Sequence, residues 1–429
     1  MQKLGIKHFR MSISWSRVLP DGTINNINQK GVDFYNDLFN RLLVAGITPW
    51  VTLFHWDTPS GVHNRSDTGS FLSKDIIPIF NDYADFCFKT FGDRVKNWIT
   101  LNEPWTYAWN GYGWGVLAPG RCSIDKKCET IGGGGNSSTE PYIVGHNLLL
   151  SHAAAFKTYK EKYFKTQGGR VGMACNNDFG LPWNASDPDD VKAASRRLAF
   201  QFSWFVDPIV FGDYPPEMRE YINDGRLPVF TPEEKAAVMG SYDYIGLNHY
   251  TTKYIVDVKG PGGYWEIDTH TEMNNTNSEG HLIGPSGQSG WLSVYPPGIR
   301  GVLNWVSDRY NFPEIYMFEN GVSVPKESEM PIAQAVHDDF RVDMYRNYIS
   351  NLIDAATLDG VKVNSYFAWS LVDNFEWADG YNTRFGLTYV DYKNNQKRYI
   401  KDSFIWYSMF TQTYNLYPKF TNPYDLEHH

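Results

Sequence analysis

Short runs of apolar, β-prone residues recur along the chain, each bounded by polar or turn residues. Seven read as strands: residues 6–12, 47–54, 95–101, 170–175, 242–247, 314–318 and 361–368. They are nearly continuous in apolar side chains, the pattern of strands buried on both faces. Between them the apolar period lengthens to that of a helix. In 31–45 the positions Tyr35, Leu38, Phe39, Leu42 and Leu43 recur at helical spacing. Residues 75–91, 141–164, 189–206, 299–310, 337–358 and 397–410 read likewise as helices. This alternation runs through 429 residues without a linker, which predicts α/β architecture, a parallel sheet with helices outside.

A closed (β/α)8 barrel needs eight strands. Met1-Gln2-Lys3-Leu4-Gly5 reads as the end of a helix leading into a strand. The expectation is a (β/α)8 TIM barrel with seven of eight strands visible, the first β/α unit lying upstream, and one domain over residues 1–426. Glu427-His428-His429 read as a tag remnant. An open doubly wound sheet is the rival, but no phosphate-cradling glycine loop supports it. Gly111-Tyr112-Gly113-Trp114-Gly115 does not follow a strand and precede a helix, and 132–135 reads as a loop tip.

Polar or aromatic clusters close six of the seven strands. Arg10 lies on the first, and His55-Trp56-Asp57 follow the second. Asn102-Glu103 follow the third, Asn248-His249-Tyr250 the fifth, Glu319-Asn320 the sixth and Trp369-Ser370 the seventh. Barrel enzymes place catalytic groups at the C-terminal ends of their strands. Two of these groups, Glu103 and Glu319, sit just past apolar runs, where a carboxylate is costly unless paired or used. Either alone could belong to a structural ion pair. Together they have the makings of a glycoside-cleaving pair, one carboxyl protonating the leaving oxygen while the other attacks carbon or activates water.

Composition narrows the partners. The formal charge is −9 and no basic patch is visible, which argues against nucleic acid. No apolar run approaches the roughly 20 residues of a membrane span. Core packing explains most of the fifteen Trp; some of the rings could also stack on sugar faces. Cys87 and Cys175 lie in apolar runs and read as buried thiols. Cys122 and Cys128 flank a short polar loop with no zinc-ligand spacing nearby, so a small-loop disulfide is the better reading. That requires an oxidising compartment. Glycosylation sequons at Asn64, Asn136, Asn184 and Asn274 point the same way.

The motifs resemble those of glycoside hydrolase family 1, the β-glucosidase family. Thr100-Leu101-Asn102-Glu103-Pro104 matches its acid/base motif. Phe318-Glu319-Asn320-Gly321 matches its nucleophile motif, where Thr is common in place of Phe318. Arg10-Met11-Ser12-Ile13-Ser14-Trp15-Ser16-Arg17, Thr52-Leu53-Phe54-His55-Trp56-Asp57, Asn248-His249-Tyr250 and the run from Trp369 to Trp377 match further segments. The resemblance covers nearly the whole chain.

It implies a retaining, exo-acting β-glucosidase working by double displacement on small β-glycosides or cello-oligosaccharides, without metal or organic cofactor. β-Galactosyl and β-fucosyl ends remain open as alternatives. Glu103 would be the acid/base and Glu319 the nucleophile, oriented by Arg10 and Tyr250. His55, Trp56, Asn102 and Asn248 would line the sugar site. Glu376 and Trp377 would meet the far hydroxyls, Trp369 would lie under the sugar, and Trp291 would flank the aglycone. Glu376 argues against 6-phosphosugars, which its carboxylate would repel. Glu103 argues against plant thioglucosidases, which carry Gln there. The Cys122–Cys128 loop and the segment after it resemble the eukaryotic, plant-like branch, where a disulfide and a secretory or vacuolar location are expected. The family's first strand carries a sugar-binding Gln, so a protein lacking that strand would be much less active and stable. The second reading is a catalytically impaired sugar-binding relative.

Overall fold

The computed structural model describes residues 1–64, 70–124, 128 and 134–419. The predicted tag remnant, Gly132, Gly133 and most of the Ser123 to Lys127 loop lie outside the described residues. Seven parallel strands form the central sheet: β1 (His8–Ser12), β2 (Thr48–Phe54), β3 (Asn97–Asn102), β4 (Arg170–Asn176), β5 (Ile245–Asn248), β6 (Ile315–Asn320) and β7 (Val363–Ala368). Each pairs with the next in chain order, so the sheet curls as a barrel whose two edges are β1 and β7. The segment before β1 is a short 3₁₀ turn, Gln2–Leu4, ended by Gly5 at φ 69°, as the opening residues predict.

The helices cover the outside. They include α1 (Gln29–Val44), α2 (Ile76–Phe91), α3 (Pro104–Tyr112), α4 (Glu140–Thr158), α5 (Pro188–Leu198), α6 (Pro297–Arg309), α7 (Asp339–Thr357) and α8 (Asp402–Thr413). In α1 the residues Val32, Tyr35, Phe39 and Leu42 are buried at helical spacing, while Leu43 is exposed. Both long predicted helices at 141–164 and 189–206 pass through a π turn, Tyr159–Tyr163 and Ala199–Ser203. No helix among the described residues is long and apolar enough to cross a membrane.

Two apolar layers build the barrel itself. The larger lies between strands and helices. The smaller fills the barrel interior with Trp50, Ile99, Ala174, Tyr244, Tyr316 and Phe318, with Phe367 against them. Side chains filling the interior in layers are usual for such barrels. Phe318 therefore forms part of a packed aromatic floor, and the Arg10 guanidinium lies 5.6 Å from its ring centroid.

Two expectations need correction. The predicted helix at 397–410 begins only at Asp402, because Lys397–Ile400 pairs antiparallel with Thr388–Asp391 as a hairpin. A side sheet of Phe179–Pro182, Thr252–Asp257 and Thr271–Asn274 was also absent from the sequence reading. Both sets of strands are short, and their partners lie outside the main β/α alternation.

Candidate active site

β3 ends at Asn102, and Glu103 turns the chain into α3 with a left-handed φ of 41°. Pro104 at the first helical position suits that entry, because its fixed φ is helical and its missing N–H has no intrahelical partner to lose. The turn anchors to the next strand through Glu103 N–H, which donates to Ala174 O at 2.7 Å. Trp56 at φ 70° and Trp377 at φ 46° are also left-handed. Such conformations in bulky residues cost energy and concentrate at functional sites.

A chain of hydrogen bonds joins the two carboxyls. Tyr250 OH donates to Glu319 Oε2 at 2.7 Å, and Arg10 Nη1 pairs with Glu319 Oε1. The other Arg10 nitrogen, Nη2, donates to Asn102 Oδ1. Asn248 Nδ2 donates to the same Asn102 oxygen at 3.2 Å and to Glu103 Oε1 at 2.8 Å. Thr106 Oγ1 closes the chain by donating to Glu103 Oε2 at 2.8 Å.

The two carboxyls meet different surroundings. Glu319 faces a guanidinium and a phenol, with both oxygens receiving donors. Glu103 is buried. Burial first, then the negative charge of Glu319, pushes its carboxyl up to about 8 against the donors Asn248 and Thr106 and the charge of Arg10. Glu376 is likewise pushed up to about 8, by burial and then by the charges of Glu319 and Asp379.

Asn102 also fixes its neighbour. Its Oδ1 accepts from two obligate donors, so its Nδ2 donates to His55 Nε2 at 3.0 Å. Burial and the nearby Arg10 charge hold the His55 pKa well below the ordinary imidazole value. The ring is therefore neutral near pH 7, with its proton on Nδ1. Asp57 secures this strand end, accepting from Trp15 N–H at 3.1 Å and His55 N–H at 3.4 Å. Burial pushes the Asp57 carboxyl up to about 7.

Aromatic rings wall the site. The His55 ring lies 5.5 Å from Trp377 and 6.0 Å from Trp369. Trp56 lies 4.5 Å from Trp377 and uses its Nε1–H on Asn102 O at 2.9 Å. Trp291 is half exposed and stands edge-on to Tyr250 at 5.9 Å. A cavity of about 260 Å³ beside the site shares the Trp56 ring with Thr58, His63 and Tyr107.

The ends of β6 and β7 are tied directly. Trp369 N–H donates to Asn320 O at 2.8 Å, and a Cβ at Gly321 would lie 1.9 Å from Trp369 O. Only glycine permits that approach. Asn320 carries the linkage to β5, donating through Nδ2 to His249 O at 2.7 Å while accepting from Tyr366 OH.

The structure thus brings together Arg10, His55, Trp56, Asn102, Glu103, Asn248, Tyr250, Glu319, Trp369, Glu376 and Trp377, with Trp291 beside Tyr250. The Asn248 nitrogen serves Glu103 and Asn102, while its buried Oδ1 has no hydrogen-bond partner among the described residues. Sequence reasoning missed Thr106 and gave Asp57 no role. Thr106 was findable, because a hydroxyl three residues after a helix-entry carboxyl lies within its reach. Cys122 and Cys128 form a disulfide with Cα atoms 5.3 Å apart, while Cys87 and Cys175 are free and buried.

The family model described as Glycosyl hydrolase family 1 matches residues 1–415. Beta-glucosidase 16 of Arabidopsis thaliana is 46% identical, over 95% of this chain and 78% of that protein. Beta-glucosidase 1B of Phanerodontia chrysosporium is 47% identical, over 93% of this chain and 72% of that protein. Among solved structures, a family 1 β-glucosidase from the fungus Humicola insolens in complex with glucose superposes with a TM-score of 0.91 at 47% identity, over 95% of this chain and 84% of that one. With a parallel barrel, two linked carboxyls at its strand ends and these likenesses along nearly its whole length, the chain belongs to glycosyl hydrolase family 1.

Proposed function

We propose that this protein is a retaining, exo-acting β-glucosidase that removes terminal β-glucosyl residues from small β-glycosides or cello-oligosaccharides. The observation that carries the reading is the unequal environment of two hydrogen-bond-linked carboxyls. Glu319 is paired with Arg10 and Tyr250, while Glu103 is buried and retains its proton up to about pH 8. Environments that separate two carboxyls in this way assign them different roles.

In the first step Glu319 attacks the anomeric carbon as Glu103 gives its proton to the departing glycosidic oxygen. The glycosyl ester removes the Glu319 charge, the second of the causes that raise Glu103. Glu103 is then a stronger acid and remains as carboxylate to take a proton from water. Water attacks the anomeric carbon, the bond from that carbon to Glu319 breaks so that Glu319 departs as carboxylate, and Glu103 regains its proton. Glu376 and Trp377 meet the far hydroxyls of the sugar, Trp369 lies beneath it, and neutral His55 offers its Nδ1–H. Trp291 borders the aglycone.

We assign the protein to an oxidising, secretory-pathway compartment. The Cys122–Cys128 disulfide and the exposed sequon residues Asn64 and Asn136 support this.

The test is the anomeric configuration of the first-formed glucose, followed by proton NMR with an aryl β-glucoside. Retention gives β-glucose first, and α-glucose first would overturn the reading. Glu319→Gly should lose at least about a hundredfold in turnover and regain it with azide. Glu103→Gln should spare glycosylation by substrates with good leaving groups. Turnover unaffected by either substitution would sink the assignment.

A further inference from the structure

Six charged side chains lie buried together where the segment after β6 meets the loop after β7: Glu327, Asp338, Arg341, Asp373, Arg384 and Lys401. Three are acids and three are bases. Arg341 donates to Glu327 Oε2 at 2.7 Å and pairs with Asp338. Lys401 pairs with Glu327 and donates to Asp373 Oδ1 at 3.1 Å, while Arg384 donates to Asp373 Oδ2 at 2.5 Å.

Backbone groups are held by the same atoms. Arg341 Nε donates to Val322 O at 3.0 Å, and its Nη2 donates to Arg384 O at 2.9 Å. Asp373 accepts from Gly386 N–H at 3.0 Å and Val390 N–H at 3.1 Å. Among the described residues none of the six hydrogen-bonds to Glu103 or Glu319. Yet the cluster grips the chain three residues beyond Glu319, at Val322, and three residues before Glu376, at Asp373.

Stability alone is a weak reason for such a cluster, because well-packed apolar replacements of buried ion pairs are often neutral or stabilising. Directionality is what apolar packing would not supply. Each charge accepts or donates along fixed vectors, so together they set one spacing between the end of β6 and the loop that carries Glu376 and Trp377. We infer that this buried cluster is a positioning device that holds Glu376 and Trp377 in register with Glu319 and thereby sets discrimination at the far hydroxyls of the sugar. The inference rests on the reading that Glu376 and Trp377 meet those hydroxyls.

The experiment compares kcat and KM for an aryl β-glucoside and its 6-deoxy analogue in wild type, Arg384→Met, Arg384→Lys and Glu376→Gln, with thermal melting on each. The quantity read is the ratio of kcat/KM for the two substrates. Glu376→Gln is expected to collapse that ratio by at least about tenfold. Arg384→Met is expected to lower it about fivefold or more, chiefly through KM for the glucoside, and Arg384→Lys to restore most of it. Should Arg384→Met fail to fold, Ser328→Ala removes the hydroxyl that Arg384 Nε holds at 3.0 Å, and the ratio should still fall about twofold. If Glu376→Gln changes the ratio while the Arg384 and Ser328 variants lower only melting temperature, or slow both substrates equally, the cluster is structural and the inference is overturned. If Glu376→Gln leaves the ratio unchanged, the sugar-site reading fails and takes the inference with it.

Discussion

Tyr250 donates its phenolic hydrogen to Glu319 Oε2 at 2.7 Å, on the carboxylate whose other oxygen is held by Arg10. Tyr250→Phe removes that bond and little volume. A hydrogen bond to a charged group is worth about 1.5–3 kcal/mol, so kcat/KM for an aryl β-glucoside should fall about 10- to 150-fold. The melting temperature should change little. A variant with wild-type kcat/KM would show that Tyr250 does not prepare the nucleophile.

Thr106 offers a test of the acid. Its hydroxyl stabilises the ionised form of Glu103, so Thr106→Val raises an already elevated pKa. In the proposed mechanism Glu103 must hold its proton for glycosylation, so kcat/KM should decline as pH rises through about 8 in the native enzyme. In Thr106→Val this alkaline limb should move upward by about 0.5–1 pH unit, equivalent to one hydrogen bond of about 1 kcal/mol. A downward shift would contradict the assignment of the limb to Glu103.

Gly321→Ala tests the contact between the ends of β6 and β7. The added methyl would start 1.9 Å from Trp369 O, so backbone must move. Overpacking of this kind costs about 1–3 kcal/mol of stability, measurable by denaturant titration. The displacement moves the strand that carries Glu319 against Trp369, which on the proposed reading are the nucleophile and the ring beneath the sugar. Turnover should fall more than tenfold for all aglycones alike, a scale set by about 1.4 kcal/mol per decade. A stable variant with normal turnover would rule out this tie as a constraint on the site.

Trp291 should behave in the opposite way. It is half exposed and edge-on to Tyr250, so Trp291→Ala should alter stability by no more than about 0.5 kcal/mol. Loss of a ring contact worth about 0.5–1.5 kcal/mol should raise KM for aromatic aglycones about 2- to 12-fold. Breakdown of the glycosyl-enzyme, from which the aglycone has left, should keep its rate. Pre-steady-state kinetics separates the two steps.

The barrel was legible because its strands are short apolar runs interrupted by amphipathic helices, and because six of the seven carry or end in groups that an apolar strand does not need. Glu103 and Glu319 stood out for that reason. The start of the last predicted helix was misread because Lys397–Ile400 takes its strand conformation from a hairpin partner, a tertiary effect that local pattern does not carry. The partner of Asn248 was equally hidden: an asparagine at a strand end does not reveal which neighbouring carboxyl its nitrogen will choose. The local pattern around Asp373, Glu327 and Lys401 carries no sign that they meet, and only folding shows them buried together.

The contact between Gly321 and Trp369 O has a consequence for how such an enzyme can diversify. The end of the strand that carries Glu319 and the backbone at Trp369 lie in direct contact, which leaves little room for either to shift alone. Trp291 sits outside that constraint, on a half-exposed rim where side chains can be exchanged at small cost. If Trp291 borders the aglycone and Trp369 the sugar, as proposed, new leaving-group preferences should be reachable by single steps at the rim, whereas a change of backbone at Trp369 must be matched at Gly321.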